Sequence, residues 1–212
     1  MRSRRRLVGA PRAAALARAV PFAAWAVLLS ACGTADRPDS TTGIPRQLLR
    51  QARPIGIGRR FHPPATGQVI APCQRSLGRR FGVHVEVFAA NRVVLLPAGI
   101  GTLPPRSWSG GRVTSAHCYG GLVTLDPTGV VYVRKGANLS LSALFRAWGQ
   151  PLSRSRLTSF AARPGRGVVI FVDGRRWRGR PGSVPLARHA EIVAEVGPLV
   201  PPHASYVFPR GT

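Results

Sequence analysis

The side chains able to do chemistry in this 212-residue sequence are few: five histidines, three cysteines and seven carboxylates. His84 and Glu86 stand two apart in Val83-His84-Val85-Glu86-Val87-Phe88. On a strand, residues i and i+2 share a face, so this imidazole and carboxylate point the same way and could hold a metal ion weakly. Asp126 and His117 are the residues that could join them. The plainer alternative is a partly buried His84 paired with Glu86. The sequence contains no His-Glu-x-x-His, no Cys-x-x-Cys, no glycine-rich phosphate loop and no Gly-x-Ser-x-Gly elbow. Beyond residue 64 the acids are Glu86, Asp126, Asp173, Glu191 and Glu195, and Asp126 and Asp173 already have turn roles. Paired-carboxylate catalysis is left with very few candidates, so a non-enzymatic protein is expected.

The elements that must position these residues read as strands. Val83, Val85 and Val87 alternate with polar positions, Ala89-Ala90-Asn91-Arg92 is a turn, and Val93-Val94-Leu95-Leu96 returns as the partner strand. A loop rich in Pro, Gly and Ser follows to Ala116, with Trp108 as its packing residue. Leu122 to Leu125 and Val130 to Val133 flank Asp126-Pro127-Thr128-Gly129, strong turn chemistry because Pro presets φ and Gly tolerates a positive one. Val168 to Val172 and Arg175 to Trp177 flank Asp173-Gly174, a two-residue hairpin signal. Between the second and third hairpins the period changes. Leu141, Leu144, Phe145 and Trp148 fall at helical spacing, Ser140 is placed to cap, and Gly149 with Pro151 terminates, which predicts an amphipathic helix over about 140–148. Glu191 to Val196 reads as a final strand, with a helix as the alternative, and the proline-rich tail can pack Tyr206, Val207 and Phe208 as an edge. The expected class is α+β, mainly β: about three antiparallel hairpins and one helix, with no βαβ alternation to argue for a parallel sheet.

The formal charge is +24, and only one of the 31 basic residues, Lys135, is lysine. Abundant Arg, Ala, Gly and Pro are also what a very GC-rich genome produces, so part of this charge can be composition alone. Six arginines lie in the first 31 residues; the 25 basic residues beyond them, set against seven acids, leave +18. A basic surface concentrates polyanions whatever its origin. The arginines are scattered and form no nucleic-acid module, so the expected partners are anionic wall polymer, lipid head groups or a protein, and not nucleic acid.

The N-terminus gives an address. Arg2, Arg4, Arg5 and Arg6 precede an uncharged run from Ala19 to Ala31, in the order of a secretory signal peptide. Thirteen residues at about 1.5 Å rise cover about 20 Å, short of the roughly 30 Å of a bilayer core. Leu29-Ser30-Ala31-Cys32 resembles the lipobox of bacterial lipoproteins, whose cysteine is acylated and becomes the first mature residue. The resemblance implies a signal peptide over residues 1–31, a lipidated Cys32 with a flexible tether over 32–64, and a single basic domain over 65–212, exported and held at the outer face of the cytoplasmic membrane. An ordinary cleaved signal and an uncleaved anchor are the alternatives. Ser3-Arg4-Arg5-Arg6-Leu7 also resembles a twin-arginine export signal, in a leader where arginine-rich matches arise by chance. Lipidation would consume Cys32 and leave Cys73 and Cys118 to form a disulfide in an oxidising compartment, with two buried free thiols as the alternative.

His84 to Gly101, Cys118-Tyr119, Leu122 to Val133 and Leu139 to Leu152 together resemble a family of uncharacterised exported bacterial proteins with a Pro-Ala-Gly-Ile-Gly turn and a Leu-His-Thr-His-Asp hairpin. The clustered histidines of that pattern imply a metal site. In this chain Val123, Leu125 and Tyr132 replace the second hairpin's histidines, and Gly82 and Arg80 replace those upstream. The departure implies an inherited, emptied site and no cofactor, with metal handling by His84, Glu86, Asp126 and His117 as the second reading.

Overall fold

The computed structural model describes residues 53–70 and 72–212, so the signal peptide, Cys32 and most of the expected tether lie outside the described residues. Arg80–Ala89 forms the central strand, β1. Its alternation is realised: Val83, Val85 and Val87 are at most 1% exposed and face the main core, while His84, Glu86 and Phe88 face the other side. Ala90 and Asn91 take positive φ and turn the chain into β2 (Arg92–Val93), which pairs back onto β1. β3 (Thr102–Ser109) and β4 (Arg112–Tyr119) form a separate hairpin. β5 (Leu122–Val123) and β6 (Val130–Arg134) form the second expected hairpin, and β6 pairs antiparallel with β1. β7 (Arg156–Leu157) and β8 (Phe160–Ala161) make a small two-stranded sheet. β9 (Val169–Val172) and β10 (Arg175–Arg176) turn at Asp173-Gly174, both left-handed, as the Asp-Gly signal requires. β11 (Glu191–Val196) is the last strand.

The main sheet runs β10-β9-β11-β1-β6-β5, with β2 beside β1. The class is α+β, mainly β. β11 lies parallel to β1, pairing His84 with Glu191, Glu86 with Val193 and Phe88 with Glu195, and this parallel pair was not signalled by any βαβ repeat.

The helix α1, Leu141–Trp148, covers the core face. Leu141, Leu144, Phe145 and Trp148 are at most 1% exposed, the stripe that their spacing dictates. Ser140 occupies the N-cap position, but its hydroxyl bonds Ser142 Oγ and makes no cap; the first helical amide, of Leu141, donates instead to Val184 O. Gly149 ends the helix in the left-handed conformation at φ 79°.

Three further differences from the sequence expectation have physical causes. The chain from Pro54 onward already belongs to the folded unit: Val93 N donates to Pro54 O, Gly56 N to Val93 O, Phe61 packs at a tilt on Phe160 with ring centroids 4.8 Å apart, and Trp148 Nε1 donates to Pro63 O. The region of 97–116 expected to be loop contains β3 and part of β4, turning on Gly110 and Gly111 at φ 54° and 78°. Trp108 is 53% exposed on that hairpin and does not anchor it. Buried Val113, Tyr119, Val123 and Leu125 form a second small core, and the Cys73–Cys118 disulfide ties the preceding segment to β4. Among the described residues no helix is long and apolar enough to cross a membrane.

Candidate metal centre

The face of the sheet opposite α1 carries His84, Glu86 and Phe88 from β1 and Glu191, Val193 and Glu195 from β11, because parallel pairing puts opposed residues on one side. The C-terminal tail covers this face. Phe88, Val193 and Val200 pack together there, Val200 N donates to Glu195 Oε2 at 3.2 Å, and the ring of Tyr206 stacks on His84 at 3.8 Å between centroids. Phe208 closes against Gly82, where a Cβ would come within 2.8 Å of its ring.

His84 is 3% exposed and Glu191 1%. Nδ1 of His84 lies 2.7 Å from Glu191 Oε2, and its Nε2 lies 3.0 Å from the carbonyl of Thr128. A carbonyl only accepts, so Nε2 carries the hydrogen. In the neutral ring Nδ1 is then a bare acceptor, and Glu191 must be protonated to donate to it. The electrostatics agree. Burial, reinforced by the negative charge of Glu86, pushes the Glu191 carboxyl up to about 9. Burial likewise holds the His84 imidazolium pKa below its usual value. Glu195 is raised to about 7, again chiefly by burial. Oε1 of Glu191 and Oε1 of Glu195 are buried with no hydrogen-bond partner among the described residues.

Donor atoms of His84, Glu86 and Glu191 all lie within 4.8 Å of one another. His203, from the tail, touches the edge of this group: its Nδ1 is 3.0 Å from Glu86 Oε1 and 2.8 Å from Oε2. The Asp126–Thr128 turn shapes the site from the side. Gly129, at φ 84°, comes so close that a Cβ there would stand 2.8 Å from His84 Nε2, which is why the turn needs glycine. Asp173 Oδ1 accepts the Glu191 amide at 2.9 Å.

Two of the residues expected at the site are therefore present, His84 and Glu86. Asp126 is engaged elsewhere, accepting from Arg112 and from the Thr128 hydroxyl, and His117 is exposed on β4 outside the donor group. Glu191 joins the donor group instead, and His203 contacts it through Glu86. Neither was marked by spacing, since each meets its partner across more than 100 residues of chain. No protein-family model, curated protein or solved structure matches the chain. The site must accordingly be judged on its chemistry. One imidazole and two carboxylates, with buried His84 and Glu191 and part-buried Glu86, make a donor set that suits first-row divalent ions such as Zn²⁺, and part-buried His203 adjoins it through Glu86.

Proposed function

We propose that this chain is an exported, lipid-anchored, non-enzymatic protein whose domain holds a divalent transition-metal ion among His84, Glu86, Glu191 and His203. The observation that carries this reading is Glu191: a carboxyl 1% exposed, one oxygen on an imidazole nitrogen and the other without a partner among the described residues. Burying such a group costs roughly 1–3 kcal/mol unless something satisfies it. A cation replacing the proton between Glu191 and His84 would bind both and offset the repulsion between Glu86 and the then ionised Glu191. The Nε2–H to Thr128 carbonyl bond is the outer contact that metal-binding histidines commonly make, and it leaves Nδ1 as the ligand. The tail shuts the site from solvent, which supports tight holding over turnover.

The test loads the purified full-length chain with Zn²⁺, dialyses at neutral pH and measures retained metal. One ion per chain is expected, and none in Glu191→Gln; an empty wild type overturns the metal reading. Anchoring is tested separately with a clickable fatty acid. Label in wild type and none in Cys32→Ala supports an acylated Cys32, and label in neither rejects it. The resemblance to exported bacterial lipoproteins carries the localisation, at the outer face of the cytoplasmic membrane. A second reading, capture of an anionic envelope component, is favoured by a different part of the surface.

A further inference from the structure

Away from the carboxylate face, exposed arginines line two adjoining depressions. One, of about 880 Å³, is bordered by Arg154, Arg175, Arg176, Arg178 and Trp177. The other, of about 630 Å³, is bordered by Arg154 again, by Arg180 and by serines. They share Arg154 and Pro181, so the two depressions adjoin and five arginines line the groove that they make. Among the described residues no carboxylate lines it. The acid nearest in sequence, Asp173, is held by the Glu191 amide. Elsewhere Arg60, Arg80, Arg106, Arg112 and Arg134 are engaged with hydroxyls, carbonyls or Asp126. The guanidiniums of Arg154, Arg175, Arg176, Arg178 and Arg180 make no hydrogen bond or ion pair among the described residues.

Such an array is electrostatically unfavourable unless an anion fills it, and the planar guanidinium fork matches phosphate oxygens in pairs. The occupant's shape follows from the groove. A membrane surface would favour a flat face with protruding apolar side chains, yet the exposed large hydrophobics, Ile55, Ile57, Leu103, Trp108, Leu199 and Val207, all lie outside it. A nucleic acid strand would need stacking platforms, and the groove offers a single aromatic, Trp177, whose Nε1 is bonded to Arg180 O. We propose that this groove binds a linear phosphodiester polymer without bases, several phosphates long, independently of the metal centre.

The full-length chain is titrated with poly(glycerol phosphate) in the presence of EDTA. Arg175→Glu with Arg178→Glu should weaken binding by about tenfold or more, and should flatten the slope of log affinity against log salt by about 1 to 2, as two lost phosphate contacts require. Arg59→Glu with Arg92→Glu makes the same change in net charge at exposed positions outside the groove and should change affinity less than about twofold. Thermal unfolding checks that both variants fold. Equal weakening in the two variants would overturn the site. Tighter binding of Cys32→Ala protein to phosphatidylglycerol vesicles than to the polymer would assign the groove to a membrane surface, and full competition by millimolar inorganic phosphate would reduce it to a single-anion site; either result overturns the polymer proposal, as would preference for a single-stranded oligonucleotide.

Discussion

His84 and Glu191 face each other at 2.7 Å across the parallel pair β1 and β11, bound as a neutral imidazole and a protonated carboxyl. A carboxamide can stand in for that carboxyl, because its NH₂ group donates to the same Nδ1. Glu191→Gln should therefore leave the metal-free unfolding midpoint within a few degrees of wild type while lowering metal affinity by tenfold or more, on the scale of a lost ligand. Glu191→Leu should instead destabilise the metal-free protein by about 1–3 kcal/mol, since it strands the imidazole nitrogen. Chemical denaturation with a chelator present separates the two.

The raised carboxyls set a pH dependence. Glu191 and Glu195 keep their protons to about 9 and about 7 in the folded state and release them near 4.5 when unfolded. Their stabilisation is complete below pH 4.5 and is lost as pH rises through those values. His84, with its pKa lowered, acts oppositely and only below about pH 6.5. Between pH 6.5 and 9 the metal-free protein should thus lose stability as pH rises, and saturating metal should flatten the curve. A metal-free stability that climbs over this window would contradict the neutral pair.

The tail is expected to be part of the site. Deleting residues 202–212 removes His203, Tyr206 and Phe208 but keeps Val200 against Phe88 and Val193. The truncated chain should fold, with the near-ultraviolet signature of its buried tryptophan intact, and should bind metal at least about tenfold more weakly. Unchanged affinity would remove His203 from the donor set.

The Cys73–Cys118 disulfide closes a 45-residue separation. Reduction, or Cys118→Ser, should lower stability by about 3–4 kcal/mol in the chain-entropy model, read as a fall in the denaturant midpoint.

In the core, Trp148→Ala should cost about 3–5 kcal/mol, because the side chain is fully buried under the sheet and its Nε1 bonds Pro63 O. The same change should loosen the segment that the helix end holds: Thr66 N donates to Trp148 O, and Gly67 lies so near the helix that a Cβ would meet Arg146 O at 2.0 Å. Limited proteolysis around residue 66 reads that loosening.

What could be read from the chain followed from local period. Val83 to Phe88 alternate, so the placement of His84 and Glu86 on one face needed only β1 itself. Leu141 to Trp148 and the Asp-Gly and Asp-Pro-Thr-Gly turns were legible for the same reason. Glu191 was legible as a strand residue and not as a ligand, since no period reveals which strand another will lie beside. His203 sits in a proline-rich segment with no period at all. The β3 and β4 hairpin was hidden by Pro104-Pro105, residues that argue against a strand, although Gly110-Gly111 between Ser109 and Arg112 is a two-residue hairpin signal.

The pairing of β1 with β11 also governs when the molecule can be completed. His84 and Glu191 are 107 residues apart, and β11 lies inside the sheet between β1 and β9, not at its rim. A nascent chain that has emerged only as far as β10 has a gap at the middle of its sheet, with the edges of β1 and β9 both unpaired. Contacts of such long sequence separation form slowly. The sheet then closes only once β11 has been made, and until that moment His84 and Glu86 lie on an open strand edge with neither Glu191 nor the tail to cover them.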